Sequence, residues 1–178
     1  MNPYKIIEKY YNEHSKLYEI LIIHSNQVRD KALAVVDKHP ELQADREFIA
    51  EAAMLHDIGI YLTDAPEIEC YGKKEYVCHG YLGADLMKKE GFPRHALVCE
   101  RHTGTGLSLE YIIKNNLPVP HRDMQPISIE EQIICYADKF FSKTKLYKEL
   151  KVDKIAAKLG KYGEMHSQRF LDWHKKFS

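Results

Sequence analysis

Six ionisable residues of this 178-residue chain fall inside apolar, helix-forming stretches: His24, His56, Asp57, His79, His102 and Asp138. The densest case is Ala52-Ala53-Met54-Leu55-His56-Asp57-Ile58-Gly59-Ile60, where a histidine and an aspartate stand side by side among residues that fold inward. Buried charge is costly unless it is paired or bound to a metal, and four neutral imidazoles cannot satisfy one another as acceptors alone. Two carboxylates and four histidines form a ligand set for one or two divalent ions of borderline hardness, such as iron, manganese, zinc or cobalt. An ion would compensate the carboxylates and occupy the imidazole lone pairs together. Ten histidines in all make this residue type the outstanding feature of the composition.

The elements that must position these residues read as helices. Asn2-Pro3 caps a first helix over Tyr4 to Glu13, and a longer one runs from about Ser15 to Lys38 with His24 inside it. Asp45 caps a central helix through Phe48, Ile49, Ala52, Ala53 and Leu55 that ends at His56-Asp57-Ile58-Gly59. Neighbouring helix residues project about 100 degrees apart, so His56 and Asp57 can share a centre only at a helix end, and Gly59 lets the helix stop there. Tyr61 to Tyr76 reads as a loop, followed by a helix over Val77 to Glu90 with His79 in its first turn. Pro93 opens a helix that ends at Arg101-His102, Ser108 to Asn116 forms a short helix, and Leu117 to Pro126 is an exposed connection. Ser128-Ile129-Glu130-Glu131 has the form of a capping box and starts a helix to about Leu146, with Asp138 in its middle. Amphipathic helices over Asp153 to Lys158 and Glu164 to Lys176 complete the chain, with Phe170 and Trp173 as packing anchors. The expected fold is all-α: one domain, residues 1–178, in a compact helical bundle with the metal site at its centre.

Lysine plus arginine and aspartate plus glutamate each number 26, so no basic excess advertises a nucleic-acid partner. No apolar run approaches the roughly 20 residues that cross a bilayer. The four cysteines, Cys70, Cys78, Cys99 and Cys135, form no CxxC pair, and the N-terminal residues lack the apolar core of a signal peptide. These features lead to the expectation of a reduced, cytoplasmic protein.

Over roughly Leu17 to Leu146, the motifs IIHSNQV, MLHDIG, VCHGYLGA, CERHTGTG and ICYADKF resemble those of the HD-domain metal-dependent phosphohydrolase superfamily, specifically its HDIG subgroup. The resemblance implies a basic ligand set of His24, His56, Asp57 and Asp138. His79 and His102 stand where members with a binuclear centre have two further ligands, and Asp57 would bridge the two ions. The implied reaction is hydrolysis of a phosphate ester or anhydride by a metal-activated water, with His56 and Asp57 as the catalytic pair. Two divalent ions are the expected cofactors, iron or manganese first, with zinc, cobalt or magnesium as alternatives. The expected partner is a small phosphorylated molecule, above all a nucleotide, and pairing of two chains through the terminal helices is left open.

Several branches of the family place a lysine after HDIG, near the substrate phosphate, whereas this chain has Ile60. Arg101 and Lys139, each beside a proposed ligand, are the candidate replacements, and His121 is a candidate for the substrate mouth. Arg122, Lys73 and Lys74 are weaker candidates, and the Gly104-Thr105-Gly106 turn could offer amides to an anion. His95 is expected to be structural or superficial, and His14, His39, His166 and His174 to lie on the surface. Two other functions share the ligand set: a binuclear-iron oxygenase of the same fold, and a non-catalytic module that senses a nucleotide or a metal.

Overall fold

Three polar residues, Ser15, Asp45 and Ser128, begin the three helices around which the rest of the chain assembles. In a computed structural model that describes all residues, Met1–Ser178, each accepts a hydrogen bond from the backbone N–H three positions on, at 3.1, 3.0 and 3.2 Å. The helices they open are α2 (Lys16–Lys38), α3 (Arg46–Leu55) and α7 (Ile129–Asp138). A short α1 (Pro3–Ile7) precedes them, and α4 (His79–Lys89), α5 (Pro93–Arg101) and α6 (Leu109–Lys114) lie between α3 and α7. The chain ends in α8 (Val152–Gly160) and α9 (Glu164–Phe177). No helix is long and apolar enough to cross a membrane.

The two larger apolar cores meet in this bundle. One joins Val28, Ala32, Ile49, Ala53 and Ile133 to Ile155, Phe170 and Trp173, so α8 and α9 pack on the same interior as α2, α3 and α7. The other gathers Ile7, Leu21, Leu55, Ile58, Met87 and Cys99. His24 lies between Leu21 of one core and Val28 of the other, and His56 and Asp57 lie between Ala53 and Ile58. The ionisable residues therefore sit along the seam where the cores touch.

The bundle departs from the sequence reading in several places. Residues 61–76 are not simply a loop: β1 (Thr63–Ala65), β2 (Cys70–Tyr71) and β3 (Lys74–Glu75) form a small sheet in the order β2-β1-β3. β2 is antiparallel and β3 parallel to β1, with Asp64 opposite both Tyr71 and Glu75. Strands of two or three residues are too short to display a period of two. The first helix stops at Ile7, well before Glu13. The connection after α6 is partly interior, because Met124 exchanges backbone bonds with Leu107 and is buried along with Val119.

The largest departure is at the end of α7. Asp138 is its last residue and Leu146 lies beyond it. Ser142 Oγ lies 3.0 Å from Thr144 Oγ1 and accepts from the Thr144 N–H, side-chain bonds that compete with helical ones. Tyr147 takes a positive φ of 65°, and the Leu150 N–H closes the excursion on the Phe140 carbonyl at 2.8 Å.

Gly59 marks the closest approach of two elements. A Cβ built there would meet the His79 carbonyl oxygen at 2.3 Å and the Gly83 nitrogen at 2.5 Å, both backbone atoms that cannot swing aside. Gly59→Ala should therefore destabilise the fold by about 1–3 kcal/mol, the cost of overpacking. Gly160→Ala, whose Cβ would meet nothing nearer than Ser167 Cβ at 3.9 Å, should not. Urea denaturation of the two variants beside the wild type checks the contrast.

Candidate metal centre

His56 and His102 follow the last residues of α3 and α5, where backbone carbonyls are left without a helical partner. His56 Nδ1 donates to the Ala53 carbonyl at 2.7 Å, and His102 Nδ1 to the Cys99 carbonyl at 2.7 Å. His79, at the start of α4, donates through Nδ1 to the Tyr76 carbonyl at 2.5 Å, and the Tyr76 ring stacks on it with centroids 4.6 Å apart. A carbonyl only accepts, so Nδ1 carries a proton in all three rings, and in the neutral form of each the Nε2 presents a lone pair. These three Nε2 atoms point toward one place.

That place is Asp57, which has no exposed surface. Its two oxygens face different groups. Oδ2 lies 3.2 Å from His24 Nε2 and 3.1 Å from His56 Nε2, and Asp138 Oδ1 lies 3.0 and 3.5 Å from the same nitrogens. Oδ1 lies 3.5 Å from His79 Nε2 and 3.3 Å from His102 Nε2. Two sets result, His24-His56-Asp57-Asp138 and Asp57-His79-His102, and the potential ligand atoms of each lie within 4.8 Å of one another.

Neither set is self-sufficient. His56 Nε2 and both Asp57 oxygens are buried without a hydrogen bond of normal geometry. The Nε2 atoms of His79 and His102 face each other at 3.0 Å. Burial pushes the pKa of His79 down to about 3, and burial also lowers that of His102. Both rings are thus neutral near pH 7, and two lone pairs and a carboxylate oxygen crowd together with no proton to share. A divalent cation satisfies such a cluster, and nitrogen-rich sets with carboxylates suit iron, manganese, zinc or cobalt. The residues present fit a metal.

The carboxylates carry the complementary charge. Burial opposes ionisation of Asp57, but Lys143 and His56 outweigh it and hold the carboxyl well below its ordinary range. For Asp138 burial is likewise overcome, first by Lys139 and then by His24 and His56. Burial lowers the His56 pKa, and the charges of Asp57 and Asp138 reverse the effect, raising it to about 9.

Of the three residues singled out to contact substrate, Arg101 and Lys139 are engaged by other groups in this arrangement. Arg101 Nη1 donates to both oxygens of Glu131, at 3.1 and 2.9 Å. The buried Lys139 ammonium bonds Asp138 Oδ2 at 2.6 Å and the His102 carbonyl at 3.0 Å, which orients the Asp138 carboxylate. His121 is exposed in the connection before α7. The cation that reaches Asp57 itself is Lys143, with Nζ 2.5 Å from Asp57 Oδ2. Reading α7 through to Leu146 concealed it, because a continuous helix would turn position 143 away from position 138.

Among the remaining histidines, His14 is exposed, and His39 and His174 are half-buried, His39 beside Glu41 and His174 beside the Tyr136 hydroxyl. His166 is buried rather than superficial, 2.8 Å from Thr105 Oγ1 and edge-on to Tyr111. His95 is structural, packed edge-on to Phe48 and Phe92 with Nε2 3.3 Å from Glu51.

The family model named HD domain matches residues 21–142. An uncharacterized protein of Methanocaldococcus jannaschii is 32% identical over 130 residues, 72% of this chain and 68% of the relative. A protein of Thermoplasma volcanium named tRNA (cytidine(56)-2'-O)-methyltransferase is 30% identical over 159 residues, 88% of this chain and 41% of the relative. The protein of that name from Picrophilus torridus is 34% identical over 125 residues, 70% of this chain and 32% of the relative. This chain therefore spans less than half the length of either methyltransferase. Among solved structures, the HD domain of the L. monocytogenes phosphodiesterase PgpH is similar in fold, with a TM-score of 0.54, 21% identity, and coverage of 89% of this chain and 86% of that one.

Below pH 9 His56 carries a proton in the metal-free protein, and a divalent ion must displace it to reach Nε2. Apparent metal affinity should therefore weaken as pH falls below about 9. Binding at pH 7 should release about one proton from this ring, and His79, neutral already, should release none. Titration calorimetry in two buffers of different ionisation enthalpy counts the protons.

Proposed function

The chain belongs to the HD domain family, and on that premise we propose that it is a metal-dependent phosphohydrolase that cleaves a phosphate ester or anhydride of a nucleotide or another small phosphorylated metabolite. The observation that carries this reading is the division of Asp57, one oxygen toward His24 and His56 and the other toward His79 and His102. In the reading His24, His56, Asp57 and Asp138 hold one divalent ion, and Asp57, His79 and His102 hold a second. Iron or manganese is the first choice. Ions bound there would polarise the phosphoryl oxygens and lower the pKa of a water molecule toward neutrality.

The protein's own residues supply the rest. Three Nδ1–H bonds to backbone carbonyls keep the imidazoles from rotating, so little reorganisation remains when the centre is loaded. Lys139 holds one oxygen of Asp138 and leaves the other directed at His24 and His56. Asp57, buried and shared, would also orient the attacking water. His56 and Asp57 act through the ions and the water they hold, and this is the sense in which they are catalytic.

The methyl-transfer function in the names of two relatives does not enter this reading. Their matches to this chain leave more than half of each of those proteins uncovered.

The experiment is hydrolysis of a panel of phosphate esters and nucleotides by protein reconstituted with Mn2+ or Fe2+, in parallel for wild type, His56→Ala, Asp138→Ala and Lys139→Ala. The first two should lose at least about a hundredfold in rate while the helical circular-dichroism signal persists. Lys139→Ala, which removes support from a ligand, should lose about ten- to a hundredfold in metal affinity or activity. Undiminished turnover by His56→Ala or Asp138→Ala would contradict the ligand assignment. Turnover that consumes dioxygen would favour the oxygenase reading.

A further inference from the structure

Lys143 touches two places at once. Its ammonium contacts Asp57 Oδ2 at 2.5 Å, yet the residue also lines an open cavity of about 350 Å³ together with Thr144, Lys16, Ile20, Glu67 and Glu69. The cavity is within the size range of small-ligand sites. Lys16 is paired with Glu19 at 2.7 Å, which leaves Lys143 as the cation that links the cavity to the interior cluster.

The contact with Asp57 is backed by Tyr76, whose side chain also bonds Lys143, and by the more distant charge of Asp138, but by no backbone group. Lys139 is tied down by two hydrogen bonds, whereas the Lys143 ammonium has the Asp57 ion pair and the Tyr76 ring, whose centroid is 5.8 Å away. Its backbone belongs to the irregular excursion between Phe140 and Leu150, which is not part of any helix or strand. A lysine stem of four carbons on such a segment can reorient without disturbing the bundle.

The ammonium also stands where an ion would stand. Asp57 Oδ2 is the oxygen that His24 Nε2 and His56 Nε2 approach at 3.2 and 3.1 Å. A divalent ion held by that oxygen and those nitrogens would occupy the space of the ammonium, and two cations so close repel strongly. Loading the centre must turn Lys143 away from Asp57, and the open direction is the cavity.

We propose that Lys143 is a substrate-binding residue: in the metal-loaded protein its ammonium faces the cavity and grips a non-bridging oxygen of the substrate phosphate, and in the metal-free protein it closes onto Asp57 as a stand-in for the ion. The proposal rests on the phosphohydrolase reading for the nature of the ligand. The ligand class is a phosphate group, entering from the side of Thr144.

The test is a calorimetric titration of Mn2+, and then of inorganic phosphate into the Mn2+-loaded protein, for wild type, Lys143→Ala and Lys143→Arg. Lys143→Ala should bind Mn2+ at least as tightly as wild type, because a competing cation is gone, and should bind phosphate about tenfold more weakly or worse. Lys143→Arg should keep phosphate affinity within about threefold. Phosphate affinity unchanged in Lys143→Ala would overturn the proposal, as would weakened Mn2+ binding in that variant, which would make Lys143 a support of the centre. Absence of Mn2+ binding in the wild type would instead overturn the metal-enzyme reading on which the proposal rests. Thermal melting of the metal-free variants verifies that each is folded.

Discussion

A carboxylate with no exposed surface persists in ionised form only when positive charge reaches it, and Asp57 imposes that requirement on everything around it. Its Oδ2 has the Lys143 ammonium at 2.5 Å, while its Oδ1 faces only the two imidazoles of His79 and His102, neutral near pH 7. The second oxygen is thus the less compensated. A cation between Asp57 Oδ1 and the two Nε2 atoms would relieve an array of three acceptors, and no proton in the neutral rings is placed to do so. The charge balance of the whole interior turns on this one side chain.

The fold answers the requirement with a single local device used at three helix boundaries. Where α3 and α5 end, and where a short turn leads into α4, a histidine turns its Nδ1–H back onto a carbonyl three residues earlier. Each bond ties the ring to the backbone and fixes it with Nε2 forward. Helix ends thereby become rigid mounts for the imidazoles. Gly59 allows α3 to end against the start of α4 with backbone in contact with backbone, so His56, Asp57 and His79 converge. His24 from the interior of α2 and Asp138 from the last position of α7 close the cluster from the remaining side.

Much of this was legible in the sequence because it depends on local signals. Ser15, Asp45 and Ser128 announce their helices through side-chain chemistry that operates over three residues, and the six ionisable residues stand out by their apolar surroundings. What escaped depends on non-local or irregular structure. The sheet over residues 63–75 is built from strands too short to carry a period. The end of α7 at Asp138 follows from Ser142 and Thr144 bonding to each other, a choice that a helical pattern through Phe140, Phe141 and Leu146 masks. Lys143 was hidden with it. His166 was expected on the surface, and its burial arises from contact with Thr105 and Tyr111, distant in sequence.

The central claim is that Asp57 joins two cation sites, and the most direct measurement is the number of metal ions per chain by elemental mass spectrometry on protein prepared without chelator and brought to saturation with Mn2+ or Fe2+ under argon. The account predicts two ions per chain, falling to one in His79→Ala with the first set intact. One ion per chain in the wild type, unchanged by His79→Ala, would contradict it: Asp57 would then serve a single site, and His79 and His102 would belong to the pocket and not to the centre.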